Sequence, residues 1–385
     1  MRVRAARALV AGAFVGPVVV EVVGGRIGSI RPATGEEPVD HDLTEGVLSA
    51  GMLDLQVNGS FGVDVAAADE AEWRTLLTGL AEHGVTGVEP TVITAPLTDT
   101  VDALERIGRA GDRFSAEPVA RVLGAHLEGP FLSPARKGAH RAEHMLAPEP
   151  AHLDALLARP AARAALRTVT LAPELPGALD AIRRLSGEGY IVAVGHSDAT
   201  AAQVHAAGDA GATMTTHVFN AQRPLAPREP GVPGAVLADE RFFVGTIIDG
   251  QHLDPRVVSL VLASAGRRTV GVTDAIVTAG LDAGAWLDFG GQPVANDARG
   301  LGRRPDGTIA GAGIVLDEGV RRMIAAGLDP ASVLSSVTEN AARSLGRDDL
   351  GHLAEGAIAD LVHWDAGWHP SRVWVGGRAL SMAAR

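Results

Sequence analysis

The sequence predicts an α/β protein: a (β/α)8 TIM-type barrel over residues 49–349, with a small β-sandwich domain formed by both chain ends, residues 1–48 and 350–385. Three observations predict it. After residue 50, short apolar runs alternate with amphipathic stretches, the order that builds a parallel sheet. The runs number eight, which is the strand count of a closed barrel. The two ends read instead as short β-branched segments broken by glycine turns. Val22-Val23-Gly24-Gly25-Arg26 near one end has the style of Val373-Trp374-Val375-Gly376-Gly377-Arg378 near the other.

At the first end, residues 8–20 are apolar but interrupted by Gly12, Gly16 and Pro17 and closed by Glu21. A bilayer span takes roughly 20 apolar residues, so this run is too short. The segment 18–23 followed by Gly24-Gly25 reads as a strand and hairpin turn rather than a signal peptide. A cytoplasmic protein without a membrane partner is the expectation. The barrel strands are then expected at 53–57, 87–91, 121–128, 168–172, 190–196, 212–217, 242–248 and 269–274. Helical patterns lie between them at 70–83, 151–159, 201–210 and 255–265. The economical arrangement of the two ends is one shared domain beside the barrel.

Composition narrows the chemistry. The 385 residues carry a net charge of −12, which argues against nucleic acid as a partner. There is no cysteine, so thiolate chemistry and disulfides are excluded and any metal must sit on nitrogen and oxygen. Lys137 is the only lysine.

Four segments put metal-binding or proton-moving side chains at predicted strand ends: Ala125-His126-Leu127-Glu128, Val194-Gly195-His196-Ser197, Thr215-Thr216-His217-Val218 and Val272-Thr273-Asp274-Ala275. They fall on the third, fifth, sixth and eighth strands, at the end where barrel active sites gather. Glu128, His196 and His217 supply the three ligands of a hydrolytic zinc site, whose open position takes water. Such a metal lowers the pKa of its water from about 15.7 toward about 7. A carboxylate must then move the proton, and Asp274 is the candidate. Taken singly, Glu128 and Asp274 can be caps and His196 can bond a turn. Four together at one barrel face favour a metal-dependent hydrolase. His83, His152, His205, His363 and His369 read as structural.

These segments carry a resemblance. His126-Leu127-Glu128-Gly129-Pro130-Phe131, Lys137-Gly138-Ala139-His140, Gly195-His196-Ser197-Asp198, Thr216-His217-Val218-Phe219-Asn220-Ala221, Arg228-Glu229-Pro230-Gly231, Asp249-Gly250-Gln251-His252 and Val272-Thr273-Asp274-Ala275 are similar to the N-acetylglucosamine-6-phosphate deacetylases of the amidohydrolase superfamily. The tail from Gly351 to Leu361 resembles the superfamily more broadly. The resemblance implies hydrolysis of the acetamide of N-acetyl-D-glucosamine 6-phosphate and a homodimer. It implies Glu128, His196 and His217 as metal ligands and Asp274 as the catalytic carboxylate. It further implies Ala139 and His140 at the substrate, with His140 on the acetyl carbonyl, and Asn220, Ala221, Arg228 and His252 on the sugar phosphate. Arg228 would reach the neighbouring subunit's site, and Ile309, Ala310 and Gly311 would form a substrate-facing loop.

One departure matters. Where many amidohydrolases carry His-x-His after the first strand, this chain has Gln56-Val57-Asn58. The lone lysine follows the third strand, so no carbamylated lysine can bridge two metals from the fourth. One divalent metal per subunit is expected, zinc first, with Fe2+, Mn2+ or Co2+ as alternatives. Two other readings stay open: deacetylation of N-acetylgalactosamine 6-phosphate, and a non-catalytic sugar-phosphate binding protein.

Overall fold

Eight parallel strands form the barrel in chain order: β1 (Met52–Val57), β2 (Val85–Ile93), β3 (Ala125–Glu128), β4 (Leu166–Leu171), β5 (Ile191–Val194), β6 (Met214–Thr215), β7 (Phe243–Ile247) and β8 (Thr269–Val272). The ring closes where the Asp274 N–H donates to Gln56 O at 3.0 Å and Val57 bridges Ala275. The computed structural model describes residues 1–35 and 37–381.

Period-two alternation explains which residues look inward. Leu127, Val169 and Leu171 join the apolar cluster shared with Leu153, Leu156 and Ile182 of the surrounding helices. The residues between them face one another across the barrel. His126 Nε2 meets Thr170 Oγ1 at 2.7 Å, Thr170 Oγ1 meets Thr216 Oγ1 at 2.6 Å, and Thr168 Oγ1 donates to Glu89 at 3.0 Å. The barrel interior is therefore polar, with Glu89 buried in it at 1% exposure.

Burial pushes the Glu89 carboxyl from its ordinary 4.5 up to about 8. Its folded pKa thus lies above its unfolded one. The stability it contributes is full below about 4.5 and is lost as pH rises through about 8. Glu89→Gln should remove that loss. We expect its urea midpoint to exceed that of the unaltered protein at pH 8 and to match it near pH 4.5. At about 1.4 kcal/mol per unit the gap is a few kcal/mol at most. Parallel pH profiles for the two proteins would sink the idea.

The helices begin where the sequence signals them. Glu70–Glu82 opens on a capping box between Asp69 and Glu72, and Ala201–Ala210 on one between Thr200 and Gln203. The strand expected over 121–128 is broken. Arg121–Val122 pairs with β2 alone, and β3 begins only at Ala125. Between them Gly124 takes φ +126°, where a Cβ would meet Arg167 Cβ at 2.5 Å, so the chain steps aside there. After β8 comes an element that the sequence did not announce. Leu287–Phe289, Gln292–Asn296, Leu301–Arg303 and Ile309–Ala312 form a four-stranded antiparallel sheet. The expected loop at 309–311 is its last strand, held to the barrel rim by the Ala312 N–H donating to Asp274 O at 2.9 Å.

The chain ends share a six-stranded sheet. Val47–Ala50 lies between Ala8–Val10 and Leu361–Trp364, with Ala50 opposite Leu361 and Val47 opposite Trp364. A four-stranded sheet carries Arg2–Ala5, Val18–Val23, Arg26–Pro32 and His41–Leu43. Val3, Val20, Ile27, Leu48, Leu361 and Trp374 pack in one apolar cluster drawn from both sheets. The two Gly-Gly turns meet. All four glycines have positive φ, a Cβ on Gly25 would stand 3.0 Å from Gly376 O, and the Ala359 N–H donates to Gly25 O at 2.9 Å. No helix among the described residues is long and apolar enough to cross a membrane.

Candidate active site

At the C-terminal rim of the barrel, Glu128 ends β3 and His196, His217 and Asp274 follow β5, β6 and β8. Each of the last three has a left-handed backbone, with φ of 46°, 31° and 54°. Such conformations cost a non-glycine residue on the order of 1–3 kcal/mol and are held only by surrounding structure. They turn each chain sharply out of its strand, just where the side chain is needed.

Glu128, His196 and His217 are buried, and one ligand atom from each lies within 4.8 Å of the others. His217 Nε2 is 2.8 Å from Glu128 Oε1 and 3.1 Å from His196 Nε2. His196 Nδ1 stands 2.9 Å from Arg136 O, an acceptor, so Nδ1 carries the proton and Nε2 offers a lone pair. Acceptors crowded this closely repel unless a cation or proton lies among them, so the donor set fits a divalent metal on nitrogen and oxygen. Burial opposes the Glu128 charge, but His196 and His217 outweigh it and hold the carboxyl well below its usual range.

Beside this trio, Asp274 Oδ1 accepts from Asn58 Nδ2 at 2.9 Å and Gln56 Nε2 at 3.1 Å. Gln56 Nε2 also donates to Glu128 Oε1 at 3.2 Å. An amide group between two carboxylates must present its N–H2, so Gln56 is a donor there and not a ligand. Both amides take Oδ1, leaving Oδ2 for a proton. Loss of water and then the Glu128 charge push Asp274 up to about 7.

His140 faces the trio, with Nε2 3.8 Å from Glu128 Oε2. The Thr94 N–H donates to its Nδ1 at 3.3 Å, which leaves the proton on Nε2. Burial lowers its pKa to about 3, so the ring is a neutral donor aimed into the cavity.

The same cavity is lined by Ala139, His140, Asn220, Ala221, His252, Ile309, Ala310 and Gly311. The structure thus gathers every residue singled out in the sequence except Arg228, which is exposed and outside the cavity of its own chain. His252 is set by Asp249, which meets its Nδ1 at 2.7 Å. The histidines read as structural are occupied elsewhere: His83 by Asp317 at 2.9 Å, His205 by Asp239 at 3.1 Å and His363 by Ser371 at 2.7 Å. His126 lies below the site, bonded to Thr170 and pushed down to about 4 by burial.

Sequence reasoning missed the roles of Thr94, Gln56 and Asn58, and missed Arg304 in the cavity wall. The Gln-x-Asn pair was visible as a substitution for two ligands. Thr94 and Arg304 carried no local signal.

Residues 47–380 match the model of the amidohydrolase family. The chain is 38% identical over 350 residues to N-acetylgalactosamine-6-phosphate deacetylase of Escherichia coli O157:H7, covering 90% of this chain and 91% of that one. It is 34% identical over 347 residues to N-acetylglucosamine-6-phosphate deacetylase of Bacillus subtilis (strain 168), covering 88% and 86%. Among solved structures it is similar to a mutant of N-acetyl-D-glucosamine-6-phosphate deacetylase from Mycobacterium smegmatis in complex with N-acetyl-D-glucosamine 6-phosphate. That match has a TM-score of 0.91 and 32% identity over 98% of each chain.

Proposed function

This chain belongs to the amidohydrolase family, and from that premise we propose that it hydrolyses the acetamide of N-acetyl-D-glucosamine 6-phosphate to D-glucosamine 6-phosphate and acetate. The observation that carries the reading is the buried Glu128, His196 and His217 trio with Asp274 beside it. Glu128, His196 and His217 would hold one divalent cation, zinc first. Gln56 supports a single ion, because it turns its N–H2 group, which has no free lone pair, toward the carboxylates. A divalent cation there supplies Lewis acidity and a water of lowered pKa.

The side chains supply the rest. Asp274 Oδ2 takes a proton from the attacking water and passes it to the departing nitrogen, while Gln56 and Asn58 hold Oδ1 still. His140 Nε2–H donates to the acetyl oxygen as charge builds there. Water adds across the C–N bond, so acetate and a free amine leave. Asn220, Ala221 and His252 bind the sugar phosphate. Arg228, exposed on its own chain, reaches the site of a second subunit in a homodimer. The chemistry belongs to residues 49–349, with 1–48 and 350–385 as a separate domain, and the setting is amino-sugar catabolism in the cytoplasm.

A second reading is the galacto epimer, favoured by the 38% identical relative that deacetylates N-acetylgalactosamine 6-phosphate. Acetate release from both 6-phosphates by metal-loaded protein tests the two together. We expect the higher kcat/KM on the gluco substrate. A higher value on the galacto substrate would transfer the proposal to it, and no release from either would leave a sugar-phosphate binder.

A further inference from the structure

The substrate proposed above carries close to two negative charges at its far end, and this rests on that reading. A chain of net charge −12 must meet them locally. The nearby cations are mostly committed. Arg136 and Arg223 each pair with Asp198 at 2.7 Å, and Arg141 with Glu143 at 2.8 Å. Lys137 and Arg228 are exposed and do not line the cavity. Arg304 is the one arginine or lysine among the described residues that does.

Its setting is unusual for an arginine. It sits at the turn between the strands Leu301–Arg303 and Ile309–Ala312, with its N–H on Thr308 O at 3.0 Å. One Nη donates to Ala139 O, while Nε is buried with no hydrogen-bond partner. No carboxylate among the described residues lies within ion-pair distance of it. Asp306 and Arg141 are the charges that act on it, and its own charge bears on His140. The segment it grips lies between the two ends of the cavity: a Cβ on Gly138 would lie 3.0 Å from His196 Cε1 and 3.7 Å from Ala221 Cβ.

We propose that Arg304, aimed into the cavity from the inserted sheet, is an in-chain ligand for the substrate's phosphate. The Nη N–H groups that Ala139 does not use form a planar fork suited to two phosphate oxygens. The site would then hold the anion with a cation from the same chain, in addition to anything a second subunit brings.

The test compares Arg304→Ala and Arg304→Lys with the unaltered, metal-loaded enzyme. The first readout is the ratio of kcat/KM on the 6-phosphate to that on the same N-acetyl sugar without phosphate. We expect the ratio to fall about 10- to 100-fold in the alanine variant, the size of one or two charge-assisted hydrogen bonds. The lysine variant, which keeps the charge and loses the fork, should fall between and serves if the alanine variant does not fold. The second readout is calorimetric binding of inorganic phosphate, which does not depend on the sugar reading. We expect it to weaken by the same factor. Equal losses on both substrates would instead mean that Arg304 only steadies Ala139 and His140. That result, or unaltered phosphate binding, overturns the proposal. If the unaltered enzyme cleaves no N-acetylhexosamine 6-phosphate, the function fails while the phosphate titration still decides the role of Arg304.

Discussion

Asp274→Asn is expected to lower kcat about 10²- to 10⁴-fold while the protein keeps its metal, the range that proton transfer by a placed side chain supplies. The substitution is close to isosteric. Asparagine retains Oδ1, so the contacts from Asn58 at 2.9 Å and Gln56 at 3.1 Å can persist. What disappears is Oδ2, the oxygen left free to take a proton, replaced by an N–H2 group that cannot. Asp274 lines the cavity, and loss of solvation followed by the Glu128 charge raises it to about 7. A divalent cation on Glu128 would offset the Glu128 contribution, so what burial supplies is a carboxyl that holds a proton more readily than one in water. Steady-state kinetics with metal analysis of the same sample checks this. A variant within tenfold of the unaltered enzyme, with its metal in place, would reduce Asp274 to an anchor for the two amides.

Glu128→Gln should empty the metal site and abolish turnover together. The unaltered protein is expected to hold about one divalent ion per chain after dialysis. Glutamine can keep an oxygen where Oε1 meets His196, His217 and Gln56, but it loses the only charge among the three ligands and turns its N–H2 group toward His140. Losing an outer-shell partner costs metal sites about 10- to 100-fold in affinity, and losing a charged ligand should exceed that. Elemental analysis and activity before and after zinc addition measure both. One tightly held ion in the variant would remove Glu128 from the ligand set, and two in the unaltered protein would overturn the single-metal reading.

The barrel was legible because its strands are apolar runs separated by amphipathic stretches such as 70–83 and 201–210, which fold as helices at Glu70–Glu82 and Ala201–Ala210. The site residues were legible because strand ends in such a fold converge, so four separated segments become one face. The four-stranded sheet over 287–312 was not legible. Its strands are only three to five residues long and are separated by turns rich in Gly and Asp, with too little alternation to distinguish them from a loop. For the same reason Ile309, Ala310 and Gly311 looked like a loop and prove to be an edge strand. Thr94 and Arg304 act through backbone contacts with residues 46 and 165 positions away, which no spacing rule reaches.

The pairing of Val47–Ala50 with Leu361–Trp364 has a consequence for biosynthesis. The ribosome releases the first of these strands long before the second, so during most of translation one side of Val47–Ala50 is an open β-edge beside apolar Leu48. Unpaired edges of nascent chains recruit other strands and seed aggregation. The barrel residues all emerge in that interval. The closing segment near Trp364 and Trp374 is thus a late-arriving latch, and a ribosome stalled before it leaves a nearly complete barrel with a sticky flank.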